Sequence, residues 1–297
     1  MKTRWVVTGA DGMLGRDLLA LLHREGEPTH GLRRADLDVT EASAVGAMFA
    51  RLRPEVVVNC AAWTAVDDAE SHEEEALAVN GHGPANLAAA CAATGTRLVQ
   101  VSTDYVFGGT ACQPYREDAA TEPRTAYGRT KLAGEQAVSQ RLPGACYIVR
   151  TAWLYGAQRR NFVRTMIRLE RERPTIEVVD DQHGQPTWTL DVAAQIIALV
   201  RAQSAAGIYH ATSSGHTTWC DLAREVFRLL GADPLRVKPV ASSTLHRPAV
   251  RPAYTVLGHD RWAAAGIAPI QDWRQSLHYA FPALLATETG GSRPSAD

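Results

Sequence analysis

The chain has 297 residues, 45% of them hydrophobic, with 31 basic against 32 acidic side chains and a net charge of -1. This length suits one large α/β domain, or a domain with an added lobe, and the balanced charge argues against nucleic acid or an anionic membrane as partner. No apolar run approaches the ~20 residues of a membrane span, and the five scattered cysteines, with no CxxC, read as free thiols in a reducing, cytoplasmic compartment rather than as a zinc site.

The N-terminus passes almost directly into a strand and a glycine-rich turn, unlike the long apolar stretch of a signal peptide. Short β-rich runs at residues 4–8, 29–32, 56–60, 97–103 and 146–151 alternate with helical runs, among them 16–24 and 73–94, the latter stopped by Gly95. Strands alternating with longer helices predict right-handed crossovers and a Rossmann-type, doubly wound parallel sheet. The run Val56-Val57-Val58-Asn59-Cys60 is apolar almost throughout, as a strand covered on both faces should be. Beyond residue 155 the pattern is less regular, with helices predicted over 161–173, 191–203, 218–230 and 272–285 and a strand over 176–179. The chain therefore divides into a dinucleotide-binding part, 1–155, and a smaller C-terminal substrate-binding lobe, 156–286, some of whose segments return to the first sheet. Residues 287–297 are polar and rich in Gly, Ser and Pro, and are predicted to be disordered.

The first strand runs into Gly9-Ala10-Asp11-Gly12-Met13-Leu14-Gly15. Glycine permits the tight turn and lets backbone approach a pyrophosphate. The following helix start offers free N–H groups and a positive dipole end. A glycine triplet alone can mark an ordinary βα turn. Its place between the first strand and a helix favours dinucleotide binding. The second strand ends near Arg33 and Arg34, where an acid would suit the ribose hydroxyls of NAD. Arginine there suits a 2′-phosphate and hence NADPH, with NADH as the other reductant and two solvated surface arginines as the plainer reading.

Strand four ends in Ser102-Thr103-Asp104-Tyr105, and ligands of open α/β sheets sit at the carboxyl ends of strands. Thr103 would point its hydroxyl toward a substrate carbonyl. Tyr127 and Lys131, spaced i, i+4, share a helix face. A phenol is a poor acid–base group at neutral pH, and an ammonium nearby is expected to lower its pKa. Tyr127 would then protonate the alkoxide formed when a ketone is reduced. YxxxK is common by chance, and Thr103 alone could be a turn hydroxyl. The ordered set of glycine turn, strand-end threonine and YxxxK is far less so.

The segments TGADGMLG, VVNCAAWTAVDDAE, VSTDYVFGG, YGRTKLAGE, RTAWLYG, NFVRTM, DDQHGQPT and RPAYTVL occur in this order. Together they resemble the dTDP-4-dehydrorhamnose reductases, extended short-chain dehydrogenases, over about residues 4–281. The resemblance implies NADPH- or NADH-dependent reduction of the 4-keto group of a dTDP-4-keto-6-deoxyhexose, toward dTDP-L-rhamnose or an antibiotic sugar such as dihydrostreptose. It implies cofactor contacts at Gly9, Asp11, Gly12 and Met13, adenine contacts at Asp38 and Val39, and a loop Ala61-Ala62-Trp63 beside the cofactor. It further implies a catalytic set of Thr103, Tyr127 and Lys131, and sugar contacts at Asp104 and Trp153 with Tyr105 beside them. Arg251 would anchor the nucleotide diphosphate, since a guanidinium matches phosphate with two hydrogen bonds. Bland alternatives are a surface role for Arg251, a core role for Trp153 and Cys60, a structural Asn80, and loop-orienting roles for Asp180 and Asp181.

Relatives of this kind also include sugar-nucleotide epimerases, against which Arg33 and Arg34 argue, and a non-catalytic NADP-binding subunit resembling the methionine adenosyltransferase beta subunit. A homodimer is compatible with the resemblance. Some members bind Mg²⁺ through acids at a dimer interface. Here Asp17 matches one such acid, but Leu190 falls where another would be, so no metal is expected.

Overall fold

The computed structural model describes residues 2–289. The first half alternates β1 (Trp5–Thr8), α1 (Met13–Arg24), β2 (Thr29–Leu32), α2 (Ala42–Leu52) and β3 (Val56–Asn59). Two short helices, α3 (Val66–Ala69) and α4 (Glu73–Leu77), lead through a π-helical turn at Ala78–His82 into α5 (Gly83–Thr94), β4 (Arg97–Thr103), α6 (Ala126–Arg141) and β5 (Cys146–Thr151). The second half contains β6 (Leu154–Tyr155), α7 (Phe162–Glu172), β7 (Ile176–Val179), β8 (His183–Gly184), β9 (Thr187–Trp188), α8 (Thr189–Arg201) and β10 (Gly207–His210). It ends with β11 (Thr217–Thr218), α9 (Trp219–Leu229), β12 (Val237–Val240), α10 (Asp260–Ala264) and α11 (Trp273–Thr289).

Six strands form one parallel sheet in the order β10-β5-β4-β3-β1-β2. Successive side chains of a strand point to opposite faces, and β1 shows the result. Trp5 and Val7 pack with α1 and α8, while Val6 packs with α2, α5 and α6. Both faces are thus buried, as the apolar run of β3 predicts. The chain reverses its direction of travel across the sheet between β1 and β3. The crevice at their carboxyl ends is where doubly wound sheets take ligands. A second core, built on α7, α9, α11, β7 and β12, forms the C-terminal lobe.

Local chemistry sets the element ends. Gly95, at φ 68°, takes the left-handed conformation that closes α5. Asn161 and Thr218 are caps rather than first helical residues, each accepting a backbone N–H three residues on, so α7 and α9 begin one residue later than expected. The expected single helix over 73–94 is interrupted. Pro84 has no N–H to give the carbonyl of Asn80, four residues back, and the chain widens into a π turn there. That carbonyl lies instead against Gly134 of α6, where a side chain would not fit. At the C-terminus, α11 continues through Thr289, so residues 287–289 are helical rather than part of a disordered tail. Residues 290–297 lie outside the described residues. No helix among the described residues is long and apolar enough to cross a membrane.

Candidate active site

A cavity of about 820 Å³ opens at the carboxyl ends of β1, β3 and β4, a volume within the usual range for small-molecule sites. Every residue singled out above for cofactor or substrate lines it, except Arg251.

Its floor is the glycine turn. Gly9 sits at φ 64°, and a Cβ there would lie 2.6 Å from the backbone of Cys60 and Ala61. Only glycine lets the turn lie against the loop after β3. Helix α1 starts at Met13, three residues earlier than the sequence suggests, with Gly12 as a cap that has no side chain to satisfy the first N–H groups. The open donors of Met13, Leu14 and Gly15 therefore point into the cleft. At the end of β2 the two arginines differ. Arg33 is forked onto Asp36 at 2.8 and 3.2 Å. Arg34 is 82% exposed, with Asp38 at 3.9 Å as its only ion-pair partner among the described residues. Asp38 itself accepts from the backbone and hydroxyl of Thr40.

The loop Ala61-Ala62-Trp63 is fixed from two sides. Asn59 accepts from Thr8 Oγ1 at 2.6 Å and from the N–H of Ala61 at 3.2 Å. Asn80 takes the N–H of Trp63 at 2.9 Å and donates to the carbonyl of Trp63 and to Thr130 Oγ1. Asn80 therefore ties this loop to α6, a structural role as the sequence suggests. Burial pushes the Cys60 thiol up to about 12, so it is an inert small side chain.

Thr103, Tyr127 and Lys131 meet at the end of β4. Thr103 Oγ1 donates to Asp104 Oδ1 at 3.0 Å, accepts the N–H of Tyr105 at 3.2 Å, and shares a hydrogen bond with the Tyr127 phenol. Tyr105 meets the Tyr127 ring edge-on, 5.6 Å between centroids. Lys131 Nζ donates to the carbonyl of Val101 at 2.6 Å. Burial pushes the Tyr127 phenol up to about 12, partly offset by Thr103. The expectation that Lys131 lowers this pKa is corrected here, because burial outweighs other influences and Lys131 is turned to the β4 backbone. Burial brings Lys131 down to about 8, against the raising influence of Glu135, whose carboxylate is held by buried Arg150 at 2.9 and 2.7 Å. Burial raises Asp104 to about 6, against the hydroxyls of Thr255 and Thr103.

Trp153 adopts φ 45° and lines the cavity. One face is stacked on Trp219 at 3.5 Å between centroids and 7° between planes. That face cannot also meet a sugar, so Trp153 presents its remaining surface to the cleft. Arg251 does not line the cavity. It is 13% exposed and forks onto Asp67 at 2.9 and 2.8 Å. Burial alone would raise the Asp67 carboxyl, but the Arg251 and Ala249 hydrogen bonds hold it below its usual value. Asp180 and Asp181 orient loops, accepting from Thr218 and Ser242. The sequence reading missed Trp219, Phe162, Arg159 and Arg160, all of which line the cavity. For Arg159 and Arg160 the available signal was a basic pair directly before a helix cap.

The buried Trp63 Nε1, Ser102 Oγ and Thr151 Oγ1 around the cleft have no partner among the described residues. They belong to residues that line the cavity, so the wall of the glycine-floored crevice keeps polar groups that the protein itself does not pair, as a site for a polar nucleotide would. A parallel sheet with this turn, and a threonine, tyrosine and lysine converging beside it, defines an oxidoreductase of the extended short-chain dehydrogenase class. The comparisons narrow this further. The family model described as the RmlD substrate binding domain matches residues 3–285, and the chain belongs to this family. It is 59% identical to a dTDP-4-dehydrorhamnose reductase of Streptomyces griseus, over 95% of this chain and 94% of that one. It is 57% identical to a dTDP-4-keto-6-deoxy-D-glucose reductase of Streptomyces niveus, over 97% of this chain and all of that one. The structure superposes at a TM-score of 0.91 on a dTDP-4-dehydrorhamnose reductase of Bacillus anthracis in complex with NADP, 36% identical, covering 95% of this chain and 99% of that one.

Proposed function

We propose that this protein reduces the 4-keto group of a dTDP-4-keto-6-deoxyhexose with NADPH. The observation that carries the reading is the convergence of Thr103, Tyr127 and Lys131 on the cleft floored by Gly9, Gly12 and Gly15. When bound, NADPH would supply the hydride that the carbonyl carbon takes up. Residues 1–155 would supply most of the groups that hold it: the open N–H groups from Met13 to Gly15 would take the pyrophosphate, Asp38 and Val39 would hold the adenine, and the loop Ala61-Ala62-Trp63 would lie beside the cofactor.

The chain's own side chains manage the carbonyl oxygen. With its pKa near 12, the phenol of Tyr127 is protonated at neutral pH and can give its proton to the nascent alkoxide. Thr103 fixes the position of that phenol, and Asp104 fixes Thr103. Lys131, with a pKa near 8, carries its charge at neutral pH, and on this reading it would hold a ribose hydroxyl of the cofactor. Residues 156–286 mainly hold the sugar nucleotide, with Trp153 at the seam as a wall of the sugar pocket. We place the enzyme in the cytoplasm, supported by five unpaired cysteines. Its assembly, on this reading, is a monomer or a homodimer formed without metal.

The test is NADPH oxidation on addition of dTDP-4-keto-L-rhamnose, with the product identified by NMR. Tyr127→Phe should lower turnover by about 10²–10⁴-fold while NADPH binding is kept. Unchanged turnover in that variant would remove Tyr127 from the mechanism. No NADPH oxidation by the wild type with any 4-keto sugar nucleotide would favour the non-catalytic subunit.

A further inference from the structure

The segment joining β6 to α7 brings two arginines to the glycine turn from the other half of the chain. Arg159 donates Nε to the carbonyl of Asp11 at 2.6 Å. Arg16, from α1, donates Nε to the same carbonyl at 3.1 Å. Two guanidinium groups thus converge on one peptide of the phosphate turn. The acid facing them is Asp11, 3.5 Å from Arg16. Neither Arg159 nor Arg160 forms an ion pair among the described residues, and both line the cavity.

The segment is held in place. Asn161 Nδ2 donates to the carbonyl of Gly156 at 2.7 Å. Arg164 Nη1 donates to the carbonyls of Ala157 and Arg159 at 3.2 and 3.0 Å. Arg164 is in turn paired with Glu288 of α11 at 2.6 Å. These bonds keep Arg159 at φ 61°, a left-handed conformation that a residue with a side chain adopts only when its surroundings impose it. The result is a fixed concentration of positive charge over a turn whose open N–H groups already favour an anion.

We infer that Arg159, with Arg160 beside it, reaches the pyrophosphate of the dinucleotide from the edge of the glycine turn, as a cationic partner to the turn's open N–H groups. The inference rests on the dinucleotide reading of the cleft. One Nε–H of Arg159 is spent on Asp11, and its terminal nitrogens make no hydrogen bond among the described residues, so the fork is available to two phosphate oxygens. Arg34, at the far end of the cleft, would read the 2′-phosphate separately.

Calorimetric titration with NADPH, NADH and adenosine 2′-phosphate separates these roles. In Arg159→Gln, affinity for NADPH and NADH should fall alike, by about tenfold, because both carry the pyrophosphate. The double variant with Arg160→Gln should lose more. Adenosine 2′-phosphate, which lacks the pyrophosphate, should bind as to the wild type. Arg159 is exposed, so its loss leaves the core intact, and an unchanged melting temperature verifies this. Unchanged dinucleotide affinity in the double variant would overturn the inference. So would a loss confined to NADPH, or one that extends to adenosine 2′-phosphate. Failure of the wild type to bind either dinucleotide would instead overturn the cofactor reading itself.

Discussion

Asp104 is a carboxyl group whose burial lifts its pKa to about 6, and it accepts a hydrogen bond from the hydroxyl of Thr103. While ionised it orients Thr103, which in turn positions Tyr127. Protonation removes the charge that strengthens this bond and adds an O–H donor that competes for Thr103. kcat/KM should therefore fall as pH drops through about 6, and should fall again above about 8 as Lys131 loses its charge. The sign for folding is opposite. Because the folded-state pKa of Asp104 exceeds the unfolded value of 3.8, its contribution to stability is full below 3.8 and is lost as pH rises through 6. This group thus gives no reason for unfolding on the acid limb. In Asp104→Asn the acid limb should disappear from the pH profile and the alkaline limb should stay. An acid limb that persists unchanged in that variant would show that another group sets it. The meeting of Thr103, Tyr127 and Lys131 at one cleft was legible in the sequence because each sits in a short local motif at a strand end or helix start. The direction of the Tyr127 pKa was not, because it follows from burial by distant segments. Nor was the bond between Arg251 and Asp67, which lie 184 positions apart.

At the scale of elements, most strands matched their sequence pattern, since an apolar β-branched run covered on both faces has few alternatives. Helix starts drifted where caps decided them. The π turn at Ala78–His82 had a visible cause in Pro84, but its form depends on the glycine of a neighbouring helix. The turn after β2 is where element structure sharpens an expectation about the cofactor. Arg33 and Arg34 were equivalent in the sequence, but Asp36 occupies Arg33 and leaves Arg34 extended into solvent. Arg34→Ala should raise the Michaelis constant for NADPH and leave that for NADH nearly unchanged, while Arg33→Ala should have the smaller effect. Steady-state kinetics with both reductants measures this, and a wild-type preference for NADH would remove the 2′-phosphate role.

For the molecule as a whole, the acids nearest a metal site of the resembled kind are engaged elsewhere. Asp17 accepts a short hydrogen bond from Thr189, which occupies one of its carboxylate oxygens, and burial raises its pKa from the usual carboxylate value. Leu190 packs against the core under α1 and α8. Asp191 turns to α11, where it accepts from Ser276 Oγ at 2.6 Å. Activity should therefore persist after exhaustive chelation, with an unchanged elution volume in size-exclusion chromatography. Loss of activity restored by Mg²⁺ would show a ligand set other than Asp17 and Asp191.

The return of α8 and β10 to the first sheet has a consequence for how the chain reaches its native state. Val192, Ile196, Leu199 and Val200 cover the same face of the sheet as Leu14, Leu18 and Leu22, and β10 pairs along the outer edge of β5. During synthesis, strands β1 to β5 emerge well before either partner exists. Until residue 210 leaves the ribosome, the part of that face not covered by α1 stays wet and the β5 edge stays open to pairing with another chain. The nascent protein therefore passes through an aggregation-prone interval bridged by long-range contacts, a kinetic cost that follows directly from building one crevice out of both halves.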